Sequence, residues 1–412
     1  MREPNISVGI DIGSTKIITC VGKFDEGGVD IIALSTSENQ GIRKGVIVDI
    51  DETVSAISLA LEEAEKMSGL SIKSAIVGVT GPFIECEQSH GVIAIPRPDG
   101  EITEDDAIRV IEMAKSVPSR PNRINIHTLP QNFIIDGTEI IKDPVGMTGI
   151  RLEVATNIIS ASSNAIKSLN KAAEQAGLSG TEVVFSPLAT AKILLSKRQM
   201  DIGVLLIDIG ASSSSYIVFE EGEMATCGVV PVGSMHITND IAIGLRTNLD
   251  LADKIKLKFG FATPDKIADK EEIDLSKLDE NETGRAELKY VSEIIEARLT
   301  EIYLMIKDNL IKANCNEALP AGVVLTGGGA KIGDIIEMTK DNMRLPVQMG
   351  KPNIEISGLI DKLEDPIYST SIGLMLWGRD KISSNNSFGL DTLPGIGNVV
   401  SKVKSLFKHI IP

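Results

Sequence analysis

Aromatic residues are scarce in this chain, at 3% of the total, and the formal net charge is −16. A nucleic-acid surface needs the opposite balance, with basic side chains for phosphates and rings for bases, so general nucleic-acid binding is excluded. Cysteine is sparse too. Cys20, Cys86, Cys227 and Cys315 stand far apart with no C-x-x-C, and Cys20 and Cys227 lie in apolar strand-like runs where a buried thiol is the ordinary reading. A reducing cytoplasm fits this usage. His90, His127, His236 and His409 lack ligand spacing, which argues against a zinc site. No signal-peptide pattern opens the chain and no apolar run reaches the roughly 18 residues of a spanning helix, so the expectation is a protein that does not cross a membrane.

With 412 residues, the chain has room for two to four domains, each with its own core. The most informative stretch runs from Val8 to Lys16. Apolar and small residues lead into Asp11, Gly13 permits a tight turn, Ser14 and Thr15 supply hydroxyls, and Lys16 supplies charge. The pattern reads as strand, turn and strand. Exposed backbone N–H groups in such a turn can wrap a phosphate, and Asp11 stands where a hydrated Mg²⁺ wants a carboxylate. An ordinary hairpin gives the same local pattern. A second copy follows at Leu205–Ser213, with Asp208, Gly210, Ala211 and Ser212 in the matching places. Two similar halves facing each other are the natural reading. A third element, Val323 to Thr326, ends in Gly327, Gly328 and Gly329, which suits either a flexible turn or a backbone that a ligand approaches closely.

Two paired hairpins and a strand that ends in three glycines resemble the actin, Hsp70 and sugar-kinase superfamily. Glu182–Ala191 resembles its first connecting segment and Pro366–Leu374 its second. The resemblance covers most of the chain. It implies an α/β, actin-like two-lobed fold. The first lobe is expected at 1–83 and 162–200 with 365–379, and the core of the second at 201–235 and 315–364. Between the two parts of the first lobe, residues 84–161 read as a small inserted α/β subdomain. Prolines 96, 98, 118, 121, 130 and 144 cluster there, around short strands at Gly91–Ile95, Asn132–Ile135 and Val154–Ile159 and a helix Glu104–Lys115 behind a Thr103 cap. Residues 236–314 read as a second-lobe subdomain. Its long helix, Glu287–Ala313, carries an apolar stripe that includes Val291, Ile295, Leu299, Ile302, Leu304 and Ile306. In the helix around Leu251–Lys258, Asp253 and Lys256 lie one turn apart. Alone they read as a solvated face, whereas the superfamily implies that they touch ribose and adenine.

The last core helix is expected to end near Gly378, before a Ser/Asn-rich linker at 380–394. Then comes 395–412. At 100° per residue, Ile396, Val399, Val400, Val403, Leu406, Phe407, Ile410 and Ile411 fall within an arc of roughly 140°, while Lys402, Lys404 and Lys408 fall outside it. An apolar face with basic flanks on a tether reads as an interfacial membrane helix, drawn to an anionic surface by Lys402 and Lys408 among others. A helix docked on its own protein or on a partner has the same pattern.

Fold alone does not give function. A metabolite kinase has no use for a membrane tail, and an Hsp70-like chaperone needs a long domain where this chain has only 34 residues after Gly378 (412 minus 378). The tail and the insertion resemble the FtsA family of bacterial cell-division proteins. That resemblance implies ATP and Mg²⁺ binding, self-association into protofilaments, and anchoring of FtsZ filaments to the cytoplasmic face of the cell membrane at the division site. Later division proteins would be recruited through the inserted subdomain. It further implies that Gly13, Ser14, Thr15, Lys16, Gly210, Ala211 and Ser212 cradle phosphates and that Asp11 and Asp208 hold the metal. Gly327–Gly329 would pass beside the nucleotide, and Arg298 and Glu301 would meet the FtsZ C-terminal tail. By themselves Arg298 and Glu301 read as a surface i,i+3 ion pair. Where many superfamily members carry a water-orienting Glu or Gln, this chain has Ser186, so tight ATP binding with slow or absent hydrolysis is expected. A pilus-assembly ATPase of the same body plan is the alternative, though it would lack the tail.

Overall fold

The computed structural model describes residues 5–386 apart from 26–27, 117–119, 281, 316–318 and 359. The distal linker and the amphipathic segment 395–412 lie outside the described residues. The chain opens with β1 (Asn5–Ile12), β2 (Lys16–Asp25) and β3 (Gly28–Glu38), an antiparallel meander. A small ribbon follows, β4 (Ile42–Arg43) with β5 (Val46–Ile47). Helix α1 (Ile50–Ser68) starts where the Asp49 carboxylate accepts from the Glu52 N–H at 3.1 Å and stops at Gly69, φ 71°. It buries Ala56, Ile57, Ala60, Leu61 and Ala64 on the sheet, and β6 (Ser74–Val79) returns parallel to β1.

The insertion then begins. Strands β7 (Ile84–Ala94), β8 (Arg123–Ile135), β9 (Glu139–Ile141) and β10 (Arg151–Ser162) form one sheet in the order β7-β10-β8-β9, crossed by α2 (Glu104–Lys115). Helix α2 has the expected bounds, and the Asp106 carboxylate accepts from the Thr103 N–H and hydroxyl at its start. The strands are longer than the sequence suggested. Pro130 argues against a continuous strand at 123–135, yet it sits opposite Thr156 where the β8–β10 register shifts, and the irregularity absorbs its missing N–H.

The chain rejoins the first lobe through α3 (Ser163–Gln175), β11 (Gly180–Phe185) and α4 (Ser186–Leu194); α5 (Lys197–Ile202) leads out. The second lobe carries β12 (Val204–Ile209), β13 (Ser214–Glu220), β14 (Glu223–Val230), α6 (Ser234–Leu245) and α7 (Leu249–Phe259). A ribbon of β15 (Glu272–Asp274) and β16 (Arg285–Glu287) precedes α8 (Leu288–Lys312). Helix α8 buries most of the expected stripe, but Leu304 is exposed. Tyr303 turns inward instead, with its hydroxyl 2.6 Å from Thr339 Oγ1. Then come β17 (Val323–Thr326), α9 (Ile335–Met343) and β18 (Val347–Met349). β19 (Ile356–Ser357) crosses back to the outer edge of the first lobe's sheet beside β3. After α10 (Ile360–Leu363), α11 (Ser369–Asn386) closes the described chain. It runs past Gly378 into the stretch read as linker, because nothing between Arg379 and Asn386 is a helix breaker.

The sheet orders expose an internal duplication. The first lobe reads β11-β6-β1-β2-β3-β19 and the second β14-β13-β12-β17-β18. In each, three antiparallel strands are extended on one side by two parallel ones. Helices α4 and α11 cross at this pseudo-symmetric junction. A Cβ on Gly373 would lie 2.0 Å from the Ala189 carbonyl oxygen, so the two backbones touch.

Candidate functional site

Each lobe presents its first hairpin to the space between the lobes. The last paired residues are Ile12 with Ile17 in one and Ile209 with Ser214 in the other. The turns close alike: the Gly13 N–H donates to the Lys16 carbonyl at 3.0 Å and the Gly210 N–H to the Ser213 carbonyl at 3.1 Å. A Cβ at either glycine would meet that carbonyl oxygen at 2.8 Å, which is why glycine stands in both places. No backbone carbonyl among the described residues accepts from the N–H groups of Ser14, Thr15, Ala211 or Ser212. Four amides are thus left at two turn tips, the arrangement that receives an anion. Thr15 and Lys16 are exposed there.

The turns are braced differently. In the first lobe, the Asn39 N–H donates to the Thr15 carbonyl at 2.9 Å and Asn39 Nδ2 to the Gly13 carbonyl at 2.8 Å. In the second, the N–H groups of Ser234 and Met235, at the start of α6, donate to the carbonyls of Gly210 and Ala211 at 2.9 and 2.8 Å. Asn39 carries no motif, and only its place at the end of β3 could have suggested it.

Asp11 and Asp208 close the strands behind the turns. Burial pushes Asp11 up to about 7, with the Asp208 charge adding to it, and burial pushes Asp208 to about 6 against a hydrogen bond from Thr370. Two buried carboxylates with raised proton affinity, one of them beside the charge of the other, are a donor set suited to a divalent cation, which would favour both ionised forms. Around them the backbone is pared down. Gly327, at φ +87°, leaves no space for a side chain, because a Cβ would lie 2.1 Å from Asp208 Oδ1. Gly329 is equally tight against Ile209, whereas at Gly328 the nearest atom to such a Cβ is an Ile367 methyl at 3.7 Å.

Ser186 opens α4 at the same place. A Cβ on Gly78 would lie 2.8 Å from Ser186 Oγ and 3.5 Å from Asp11 Oδ1, so the hydroxyl and the carboxylate flank one point. Ser186 Oγ is buried and has no hydrogen-bond partner. Behind it a hydroxyl chain crosses the junction: Thr190 Oγ1 donates to the Ser186 carbonyl and lies 3.0 Å from Thr370 Oγ1, which donates to Asp208 Oδ2 at 3.4 Å. Sequence patterns did not single out Thr190 or Thr370 individually.

Asp253 and Lys256 do come together. Lys256 Nζ donates to Asp253 Oδ1 and to Thr238 Oγ1, each at 2.6 Å. Thr238 lies on α6, one turn from the end that braces the second hairpin. Arg298 is not a free surface group. Its Nε and Nη2 donate to the Asp240 carboxylate at 2.6 and 3.0 Å, tying α8 to α6, and Nη1 also donates to Glu301. No helix among the described residues is long and apolar enough to cross a membrane.

Two matching lobes, paired hairpins and an inserted sheet define the actin-like class. Solved structures of low sequence identity share this fold. The PilM–PilN type IV pilus biogenesis complex aligns at TM-score 0.65 with 15% identity, over 90% of this chain and 98% of that one. MreB5 of Spiroplasma citri bound to ADP aligns at 0.54 with 13% identity, over 94% and 99%. Sequence comparison narrows the class. Residues 205–373 match the family model described as cell division protein FtsA, and residues 81–160 match the SHS2 domain inserted in FtsA. The chain is 32% identical over 391 residues to the cell division protein FtsA of Pseudomonas aeruginosa, covering 95% of this chain and 93% of that one. It is 34% identical over 375 residues to that of Bacillus subtilis, covering 91% and 84%. The chain belongs to the FtsA family of cell division proteins.

Proposed function

We propose that this protein binds ATP with Mg²⁺ between its lobes, assembles into protofilaments, and anchors FtsZ filaments to the cytoplasmic face of the membrane at the division site. The observation that carries the nucleotide reading is the pair of hairpins with open amides, backed by Asp11 and Asp208 across the cleft. Backbone at Gly13, Ser14, Thr15, Gly210, Ala211 and Ser212 holds phosphates, Lys16 adds charge, and Asp11 and Asp208 hold the hydrated metal. Gly327–Gly329 give the nucleotide close access to backbone, and Asp253 and Lys256 meet the adenosine. Magnesium-bound ATP supplies the charge that makes two facing carboxylates and two open turns mutually favourable. Turnover is slow, since Ser186 is neither a base nor a strong water-orienting group. Nucleotide then acts as a ligand that selects the closed, assembling conformation. Arg298 and Glu301 contribute to the surface that takes the FtsZ tail, the inserted subdomain recruits later division proteins, and 395–412 is the membrane anchor.

The test is co-sedimentation of the full chain, and of a chain ending at Pro394, with vesicles containing anionic lipid in the presence of Mg²⁺ and ATP. Only the full chain is expected to pellet. If both remain soluble, the anchoring role is refuted.

A further inference from the structure

Cys86 and Cys227, 141 positions apart in sequence (227 minus 86), meet where the inserted subdomain rests on the second lobe. The contact is specific. Gln131 Nε2 and Asn157 Nδ2 donate to the Met224 carbonyl of β14 at 2.9 and 2.7 Å, and Gln88 Nε2 donates to Gln131 Oε1 at 2.9 Å. Alternation along β7 puts Cys86 on the face of Gln88, and on β14, where the register shifts at Ala225, Cys227 shares the buried cluster of Met224, against which Cys86 packs. Both thiols are free, and Cys86 packs against the buried cluster that holds Cys227 across the boundary. Cys227 is buried, whereas Cys86 is half-buried.

We propose that Cys86 and Cys227 form a reversible disulfide that staples the inserted subdomain to the second lobe. The oxidant is a hydroperoxide. The Cys86 sulfur attacks its outer oxygen, the O–O bond breaks, and Cys86 becomes a sulfenic acid. The rest of the peroxide leaves as water or an alcohol, carrying the thiol proton. The Cys227 sulfur then attacks the Cys86 sulfur, the S–S bond forms, and the sulfenic oxygen departs as water with the Cys227 proton. Two electrons pass from the sulfur pair to the peroxide, and a thiol reductant returns them. The roles are not interchangeable. The hydrogen bond from Cys227 holds the Cys86 thiol below its ordinary range, while burial pushes Cys227 well above it. Cys315 is the competing partner, but its thiol donates to the Ala313 carbonyl at 3.3 Å. Cys20 is fully buried in the first lobe, where burial pushes its thiol far up.

The test uses the full chain treated with hydrogen peroxide, blocked with an alkylating agent, digested without reduction and analysed by mass spectrometry. The expected product is a linked pair of peptides carrying Cys86 and Cys227, two hydrogens lighter than their sum and split by dithiothreitol. Cys86→Ser and Cys227→Ser lose the product, whereas Cys20→Ser and Cys315→Ser keep it. The oxidised wild type unfolds at a higher temperature than the reduced one, and Cys86→Ser shows no such rise. Linkage to Cys315, sulfinic acid at Cys86 without a crosslink, thiols that stay free under excess peroxide, or an unchanged unfolding temperature each overturns the proposal.

Discussion

Replacing Asp11 by Asn should stabilise the ligand-free protein at alkaline pH while weakening its grip on magnesium nucleotide. The Asp11 carboxyl is raised from 3.8 to about 7 by burial and by Asp208. A group whose folded value lies above its unfolded value contributes fully below the unfolded value and loses that contribution as pH rises through the folded one. For Asp11 the window runs from about pH 4 to about pH 7. Above it, the native state holds an ionised carboxylate that water would hold better. A shift of about 3 units corresponds to about 4 kcal/mol at roughly 1.4 kcal/mol per unit. Asp11 is only partly shielded from the solvent of the cleft, so about 2 kcal/mol is the more realistic figure.

Asn has nearly the shape of Asp and no charge, so Asp11→Asn removes this cost. Thermal unfolding without nucleotide or metal, followed from pH 4 to pH 8.5, should show equal stability at the acid end. A gap should then open in favour of the variant, levelling off above pH 7 at a few degrees. The same variant should bind Mg²⁺–ATP at least tenfold more weakly, read by fluorescence titration. A variant that melts at or below the wild-type temperature at pH 8, or a gap that ignores pH, would refute the burial argument.

Other positions give separate tests. Ser186→Ala deletes a buried hydroxyl with no partner, so the ligand-free protein should gain up to about 1 kcal/mol in a denaturant titration, where most core changes lose stability. Gly373→Ala forces a methyl to within 2.0 Å of the Ala189 carbonyl and should cost about 2–3 kcal/mol in the same measurement. Arg298→Ala breaks the two-pronged contact with Asp240 and should cost about 1–2 kcal/mol. Arg298→Lys should recover little of it, because an ammonium cannot span both carboxylate oxygens. If Arg298 also meets the FtsZ tail, binding of that peptide should fall in both variants by more than unfolding accounts for.

The parts of this fold that were readable are those written in local chemistry. The two Asp-x-Gly turns were legible because a short turn between strands demands glycine where its own closing carbonyl comes near, and the duplication repeated the demand at Gly13 and Gly210. Helix α2 was legible because Thr103 and Asp106 state its start three residues apart. What escaped was decided by distant partners. Nothing near Asn39 in sequence says that it braces Gly13, and nothing near Tyr303 says that Thr339 awaits its hydroxyl. The strand through Pro130 depended on an irregularity beside it, at Gln131, in the pairing with β10. The Cys86–Cys227 pair depended on how the insertion docks, which spacing in the chain does not encode.

The cleft and its surroundings are built on opposite principles. Around α11, Gly9 lets the β1 backbone and Gly373 lets the α4 backbone touch the helix, a geometry with little freedom to adjust. In the cleft, two buried carboxylates hold their protons, and among the described residues a buried serine hydroxyl lacks a partner and turn amides face no carbonyl. Each of these would be a defect in a protein whose resting form is ligand-free. Under the proposed function, each would be relieved by an anion carrying a divalent cation. Occupancy therefore adds stability according to the ligand's concentration relative to its dissociation constant, about 2.7 kcal/mol at a hundredfold excess. That gain is realised on the side that joins the lobes, since the hydroxyl chain from Ser186 through Thr190 and Thr370 ends on Asp208. A ligand held this way favours the closed arrangement whether or not it is hydrolysed. Rapid turnover would release that hold, so in the proposed function a serine at position 186 would suit a nucleotide that keeps the lobes together.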